Sequence, residues 1–227
     1  MAHNHRPHQA PTVNTTTGTA RTLMRFLSGR MLKPPHRALY GYLLLGSVVL
    51  IALQTVSPAI GQVLQWQASD AVNLQAWWRP FTAHLVHTNL THLLMNLLGL
   101  WLLVWAAYPL LRARQAITLY LLCCVAIGLT LPASGLGSYR GLSGVLYGIV
   151  AWLSVASWRC PAVAILPSWL TGGLLALLLW PDSQHDAFTA HLIQARVAHL
   201  AHFSGALCGA LYGMLCPLPT QTSSRRN

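Results

Sequence analysis

One serine, two histidines and one asparagine are the notable polar residues in otherwise apolar stretches of this sequence. Ser143 lies in the motif Gly141-Leu-Ser-Gly144, His202 lies in a later apolar stretch, and His92 and Asn96 lie four residues apart in an earlier one. A serine becomes a nucleophile when a neighbouring base, most often a histidine, takes its proton. Backbone and side-chain N–H groups can then stabilise the oxyanion of an acyl-transfer reaction. These residue types predict nucleophilic chemistry if the fold brings them together.

The composition excludes several classes of protein. Of the 227 residues 54% are hydrophobic and 7% are charged, whereas a soluble domain carries about 25% charged residues. The chain has three acids, Asp70, Asp182 and Asp186, and no glutamate. Paired-acid glycosidases, calcium loops and magnesium-dependent phosphoryl-transfer sites all need converging acids. The same scarcity argues against a Ser-His-Asp triad and favours a Ser-His dyad.

Six apolar stretches are long enough, or nearly so, to cross a bilayer as helices, which takes about 20 residues each. They are 38–60, 87–108, 116–131, 142–158, 162–180 and 197–215. The chain is therefore predicted to be an all-α polytopic membrane protein with a six-transmembrane-helix domain at 37–217. Residues 1–36 are predicted to be a disordered basic cytoplasmic tail, and residues 218–227 a short cytoplasmic tail.

The distribution of basic residues predicts the orientation of the helices. Eleven of the 14 Lys and Arg residues fall in the two termini and in the second and fourth connections, whereas Arg79, Arg140 and Arg196 fall on the other side. Both termini are therefore predicted to be cytoplasmic. With this topology the serine, the histidines and the asparagine all fall in the outer leaflet. The net charge of +11 comes from basic residues at the ends of the apolar stretches rather than from a basic polar face. This distribution argues against nucleic-acid binding.

Small residues recur every four positions in two of the stretches. Gly205, Gly209 and Gly213 lie in the last stretch, and Gly144 and Gly148 lie in the fourth. Small residues at this spacing let helix backbones approach closely in lipid. The pattern predicts that these two helices pack together, which is what a hydrogen bond between the serine and the later histidine requires.

Taken together, these motifs resemble those of the rhomboid family of intramembrane serine proteases over residues 38–216. The matching residues are Trp78-Arg79, His87-x4-His92-x3-Asn96, Gly141-Leu-Ser143-Gly144 with Tyr147, and Ala201-His202-x-x-Gly205-x-x-x-Gly209. The resemblance implies that Ser143 is the nucleophile and His202 the general base, with His92, Asn96 and the Ser143 N–H as oxyanion donors. It also implies supporting roles for five residues: Tyr147, Gly141, Gly144, His87 and Arg79. Among these, the resemblance implies that Tyr147 packs against the base and that Arg79 is a structural arginine of the first loop.

Within that family the short core, with Trp77-Trp78-Arg79-Pro-Phe-Thr-Ala-His84-Leu-Val-His87, resembles the bacterial rhombosortase branch. This implies a protein of the bacterial inner membrane whose active site faces the extracytoplasmic side. Its expected partners are the lipid bilayer and membrane-anchored protein substrates, in particular exported proteins with C-terminal anchors. No cofactor and no metal are expected, and the oligomeric state and the substrate stay open.

Two other functions compete with this interpretation. The first is a metal-binding membrane protein, because histidine is the commonest transition-metal ligand; the candidate ligands are His84, His87, His92, His199 and His202. However, the first three cannot share one helix face, and no cysteine or acid joins them. The second is an inactive rhomboid-like protein that binds client transmembrane helices. Such proteins typically lose the serine or the histidine, and this sequence keeps both.

Several other residues are predicted to be structural. The tryptophans of the apolar stretches are expected to face lipid or to lie in interfacial belts; they are Trp101, Trp105, Trp152 and Trp158. His185 and His191 are expected to be solvated in an outer loop.

Overall fold

The computed structural model describes residues 34–56, 58–161, 164–180 and 184–218. The predicted basic tail therefore lies almost entirely outside the described residues, as do positions 219–227 of the predicted C-terminal tail. The chain divides into two compact units, 1–46 and 47–227. The described part of the first unit, 34–46, is helical. The second unit contains the site described below.

The described residues form α-helices joined by short turns and one very small sheet. The helices are α1 (Pro34–Val56), α2 (Pro58–Leu64), α3 (Arg79–Thr82), α4 (Leu90–Ala107), α5 (Ala113–Thr130), α6 (Ser143–Arg159), α7 (Ser168–Leu179), α8 (Gln184–Ile193) and α9 (His199–Leu215). Short 3-10 turns cover Ala68–Val72, Leu74–Ala76, Ala83–Leu85 and Leu131–Ser134. Strands β1 (Trp66–Gln67) and β2 (Ser138–Tyr139) pair antiparallel, with Trp66 opposite Tyr139.

The helix lengths and compositions are those of a polytopic membrane protein. Within the described residues three segments are long and apolar enough to cross a membrane: Leu39–Val56, Leu90–Ala107 and Ala113–Ser134. Helices α6 and α9 each have 17 residues, or about 26 Å at 1.5 Å per residue, close to the roughly 30 Å of a bilayer core. Helix α7 is apolar but has only 12 residues. The chain is an all-α membrane bundle, as the sequence predicts.

Proline shortens two of the six predicted spans. The first was expected to run over 38–60, but α1 ends at Val56 and a separate helix begins at Pro58. The fifth was expected over 162–180, but α7 begins only after Pro167, at Ser168. Proline has no N–H to donate and disfavours helical geometry in the residue before it. Apolar composition alone therefore overestimated the lengths of both helices.

Glycines allow α6 and α9 to pack in direct backbone contact. A Cβ added at Gly205 would overlap the carbonyl of Gly144, and one added at Gly209 would overlap the carbonyl of Gly148. The predicted close approach of these two helices is therefore confirmed. Because Ser143 starts α6 and His202 lies in the first turn of α9, this contact brings the two ends together.

We expect Gly209→Ala to destabilise the bundle, because the added methyl group must push two helix backbones apart. Overpacking of this kind costs about 1–3 kcal/mol. Gly172→Ala in α7 is the matched control, since a Cβ there meets nothing within 4 Å. Thermal unfolding in detergent measures both variants. Equal unfolding temperatures for Gly209→Ala and the wild-type protein would show that the glycine contact does not limit stability.

Two predictions about structural residues are wrong in detail. Trp152 was expected at the lipid surface, but its side chain is fully buried and its Nε1–H donates to Cys216 Sγ at 3.3 Å. Helix α6 is largely enclosed by its neighbours, so an aromatic residue on it fills the core; Trp158, near its end, is 65% exposed. The segment with His185 and His191 was expected to be a loop but forms α8, where the His191 side chain is exposed.

Candidate active site

A serine and a histidine from the two glycine-packed helices are in hydrogen-bond contact. Ser143 Oγ lies 2.8 Å from His202 Nε2. The Ser143 side chain is half-buried and that of His202 is 8% exposed. This is the distance at which an imidazole can take a hydroxyl proton. The arrangement is therefore chemically competent for serine activation.

An aromatic ring covers the imidazole on the side of α6. Tyr147 lies one helical turn after Ser143, and its ring stacks on that of His202 with centroids 4.1 Å apart and planes inclined by 10°. The Tyr147 hydroxyl donates to the carbonyl of Leu178 in α7 at 3.1 Å. The stacking restricts rotation of the imidazole.

His92 and Asn96 come from the first two turns of α4. The Asn89 side chain starts this helix by accepting the N–H of His92 at 2.8 Å, a standard N-cap. His92 Nδ1 is 3.1 Å from Thr88 Oγ1. Asn96 is 5% exposed, and within the described residues its Nδ2 has no hydrogen-bond partner. A buried donor without a partner is costly, so this amide is available to an oxygen that enters the site.

All of these groups line one cavity of about 900 Å³. Its wall contains Ser143, His202, Tyr147, His92 and Asn96, the polar residues Gln62, Gln65 and Gln67, and two arginines, Arg140 and Arg196. The structure thus brings together the serine, the candidate base and both candidate oxyanion donors. The cavity is large enough for a peptide segment and polar enough to hold the water that hydrolysis needs.

The backbone before Ser143 has an unusual conformation that only glycine adopts easily. Gly141 has φ of +134°, and a Cβ there would lie 2.6 Å from His92 Cε1. Its N–H donates to the carbonyl of Ala83 at 3.0 Å. The N–H of the next residue, Leu142, donates to His87 Nε2 at 3.4 Å. Of the other supporting residues, Gly144 allows the contact with α9 already described.

Sequence reasoning missed two residues that hold this glycine. His84, which the sequence offered as a metal ligand and as part of the motif before α4 but not as a support for Gly141, is fully buried and its Nδ1 lies 3.0 Å from the Gly141 carbonyl oxygen. The Tyr139 hydroxyl donates to the same oxygen at 3.0 Å. Neither residue has a sequence signal beyond its closeness to a motif, because their convergence depends on the pairing of β1 with β2 and on the turn at Ala83–Leu85.

Burial sets the protonation of both residues, which lie in connections outside the spanning helices. It lowers the pKa of His84 to about 4, against the opposing effect of the Gly141 hydrogen bond. It also raises the pKa of Tyr139. At neutral pH the imidazole is therefore uncharged and the phenol keeps its proton. Because a carbonyl oxygen can only accept, the His84 contact requires the imidazole proton on Nδ1.

Arg79 pairs with an acid of its own loop. Its Nη1 lies 2.8 Å from Asp70 Oδ1, and Asp70 Oδ2 accepts the N–H of Gln67 at 2.7 Å. The guanidinium carbon also lies 5.5 Å from the ring centre of Trp78. Because Asp70 is occupied in this loop, it does not act on the imidazole of His202. The sequence placed Asp70 outside the bilayer but did not predict its partner.

The histidines do not form a metal site in the part of the chain that the structure describes. No group of three or more His, Cys, Asp or Glu side chains there is arranged to hold a metal ion. His84 and His87 instead contact the backbone at residues 141 and 142, and His202 contacts the serine. The metal-binding alternative therefore has no geometric support.

Comparisons with known proteins identify the class to which this fold and site belong. Residues 74–218 match the family model of the Rhomboid domain, so the chain belongs to the rhomboid family. The chain is 28% identical over 176 residues to "Rhomboid protease GlpG" of Photorhabdus laumondii, which is 76% of this chain and 58% of that protein. It is 26% identical over 166 residues to "Rhomboid protease GlpG" of Yersinia pestis, or 73% of this chain and 57% of the relative. The matched region thus spans less than two thirds of the length of these relatives.

Proposed function

We propose that the chain is an intramembrane serine endopeptidase that cleaves membrane-anchored proteins with a Ser143–His202 dyad. The contact of 2.8 Å between Ser143 Oγ and His202 Nε2, in the wall of a cavity, is the observation that carries the proposal. Membership of the rhomboid family and the protease names of its relatives support the same class of reaction.

In the proposed mechanism His202 Nε2 takes the Ser143 hydroxyl proton as Oγ attacks the scissile carbonyl. The tetrahedral oxyanion is stabilised by the Ser143 N–H and by the side chains of His92 and Asn96. A neutral His92 that accepts from Thr88 Oγ1 at Nδ1 carries its proton on Nε2, where it can donate. The imidazolium then protonates the leaving amine, and the C–N bond breaks to leave an acyl-serine. A water that gives its proton to His202 hydrolyses this ester and restores the serine.

In the proposed dyad the imidazole of His202 is oriented by packing against an aromatic ring. Asp70 is paired with Arg79; Asp182 and the Asp186 side chain lie outside the described residues. The stacked Tyr147 ring takes over the orienting role in this proposal. In a low-dielectric site, a base held by packing avoids the cost of burying a second charge.

The finer parts of the function follow from charge asymmetry and resemblance. Eleven of the 14 basic residues lie on one side of the predicted topology, which supports cytoplasmic termini, tails at residues 1–36 and 218–227, and cleavage near the outer face. The resemblance to the rhombosortase branch supports C-terminal anchors of exported proteins as the substrates, in the bacterial inner membrane. Comparing the anchored and released fractions of exported proteins with and without this protein tests the substrate class.

A fluorophosphonate probe tests the chemistry directly. We expect the probe to modify Ser143 of the purified wild-type protein, and mass spectrometry to locate the adduct on that residue. Ser154, on the same helix, is an internal control because its hydroxyl already donates to the Val150 carbonyl at 2.9 Å. Equal modification of both serines would indicate no selective activation. No modification of Ser143 would contradict the proposal and favour an inactive rhomboid-like binder of transmembrane helices.

A further inference from the structure

We propose that His84 and Tyr139 are positioning residues that hold the Gly141–Leu142 peptide and thereby orient Ser143. This inference rests on the proposed function, since it explains how the reacting serine and its N–H are presented. We call the group formed by His84, Tyr139 and His87 around this peptide the peptide clamp.

The carbonyl end of the peptide is held by two donors. His84 Nδ1 and the Tyr139 hydroxyl each lie 3.0 Å from the Gly141 oxygen, and these two bonds use both of its lone pairs. The His84 and Tyr139 rings also contact each other edge to face, with centroids 5.5 Å apart. Both side chains are almost completely buried, at 0% and 4% exposure. Water therefore cannot replace either bond without opening the core.

The amide end of the same peptide is held by an acceptor. Leu142 N–H donates to His87 Nε2 at 3.4 Å, and the His87 side chain is 1% exposed. One residue earlier, the Gly141 N–H donates to the Ala83 carbonyl, next to His84. The peptide plane is therefore held at both ends by a single segment, residues 83–87, of the connection before α4.

This restraint matters because hydrogen bonds within α6 do not fix the orientation of its first turn. The first N–H groups of a helix have no partner within the helix, and the Ser143 N–H is one of them. Gly141 has φ of +134°, a conformation that the chain leaves easily when nothing holds it. Rotation of the Gly141–Leu142 peptide would change the direction of the Ser143 N–H and the distance from Oγ to His202. The clamp opposes this rotation.

Tyr139→Phe is the sharpest test, because it removes one hydroxyl and keeps the buried ring. We expect kcat, and the rate of phosphonylation of Ser143, to fall roughly tenfold, the equivalent of one net hydrogen bond. KM should change less than kcat, because the change removes only the hydroxyl that donates to the Gly141 carbonyl and keeps the rest of Tyr139, which lines the cavity. Tyr120→Phe is the matched control: Tyr120 also contacts the His84 ring, but its hydroxyl donates to the Phe81 carbonyl at 3.1 Å. This variant should react at the wild-type rate.

Two variants at His84 separate positioning from packing. In asparagine the Nδ2 atom occupies the position of His Nδ1, so His84→Asn should keep most of the rate. His84→Leu fills the space without a donor and should lower kcat at least tenfold.

Hydrogen–deuterium exchange over residues 140–144 should accelerate about tenfold in Tyr139→Phe and not in Tyr120→Phe, whether or not substrate is present.

Each outcome bears on a different claim. Absence of wild-type phosphonylation contradicts the proposed function, whereas unchanged exchange in Tyr139→Phe contradicts the clamp independently of activity. Faster exchange with an unchanged kcat would show that the clamp holds the backbone but not the reacting groups. Equal losses in His84→Asn and His84→Leu, or a rise in KM alone, would also overturn the positioning role.

Discussion

Alanine at Ser143 or at His202 is expected to abolish proteolysis and to leave the bundle folded. Either change removes one partner of the contact between Ser143 Oγ and His202 Nε2, and neither partner reacts efficiently alone. In serine hydrolases such losses lower kcat by about 10⁴-fold or more, and removing both partners is hardly worse than removing one. The double variant should therefore be no slower than either single variant.

The measurement is the release of a membrane-anchored reporter by purified protein in lipid vesicles, alongside thermal unfolding. His199→Ala is the matched control for the histidine, because His199 begins the same helix and is exposed. We expect cleavage by this control to match the wild type. Cleavage at the wild-type rate by Ser143→Ala or His202→Ala would exclude the dyad. An equal loss in His199→Ala would indicate a general disturbance of α9.

Asn96→Ala is expected to lower kcat by about 10²–10³-fold, the typical effect of losing one oxyanion donor. The amide is 5% exposed, lines the cavity, and its Nδ2 has no protein partner within the described residues. An unsatisfied buried donor destabilises the folded protein, so its removal should leave the unfolding temperature unchanged or raise it. Loss of activity without loss of stability is the result expected of a group that stabilises the transition state but not the folded protein.

Ser157→Ala is the control for this experiment. Ser157 is also almost fully buried with an unpartnered Oγ, but it lies at the other end of α6 from Ser143. We expect its removal to leave kcat unchanged. A rise in KM for Asn96→Ala, with kcat intact, would assign the amide to substrate binding rather than to the oxyanion.

The sequence predicted the membrane class, the motifs and the order of the spans, because these depend on local properties. The length of an apolar stretch, the helical spacing of its residues and the charge of a connection can each be determined from the residues of a single segment. The glycine repeats even predicted which two helices pack together, since a missing side chain matters only where another backbone approaches. Segment ends were less certain, as α7 shows: the helix begins at Ser168, directly after Pro167, whereas the apolar composition predicted a start at residue 162.

The tertiary structure decided which polar groups meet. The 2.8 Å contact of Ser143 with His202, the stacking of Tyr147 and the convergence of His84 and Tyr139 on one carbonyl join residues from separate helices and loops. The burial of Trp152 likewise depends on which helix is enclosed by its neighbours. No periodicity within one segment encodes such relations, because they arise from the packing of distant segments. The sequence by itself therefore determined the chemical groups and their order along the chain, whereas packing determined their distances and orientations.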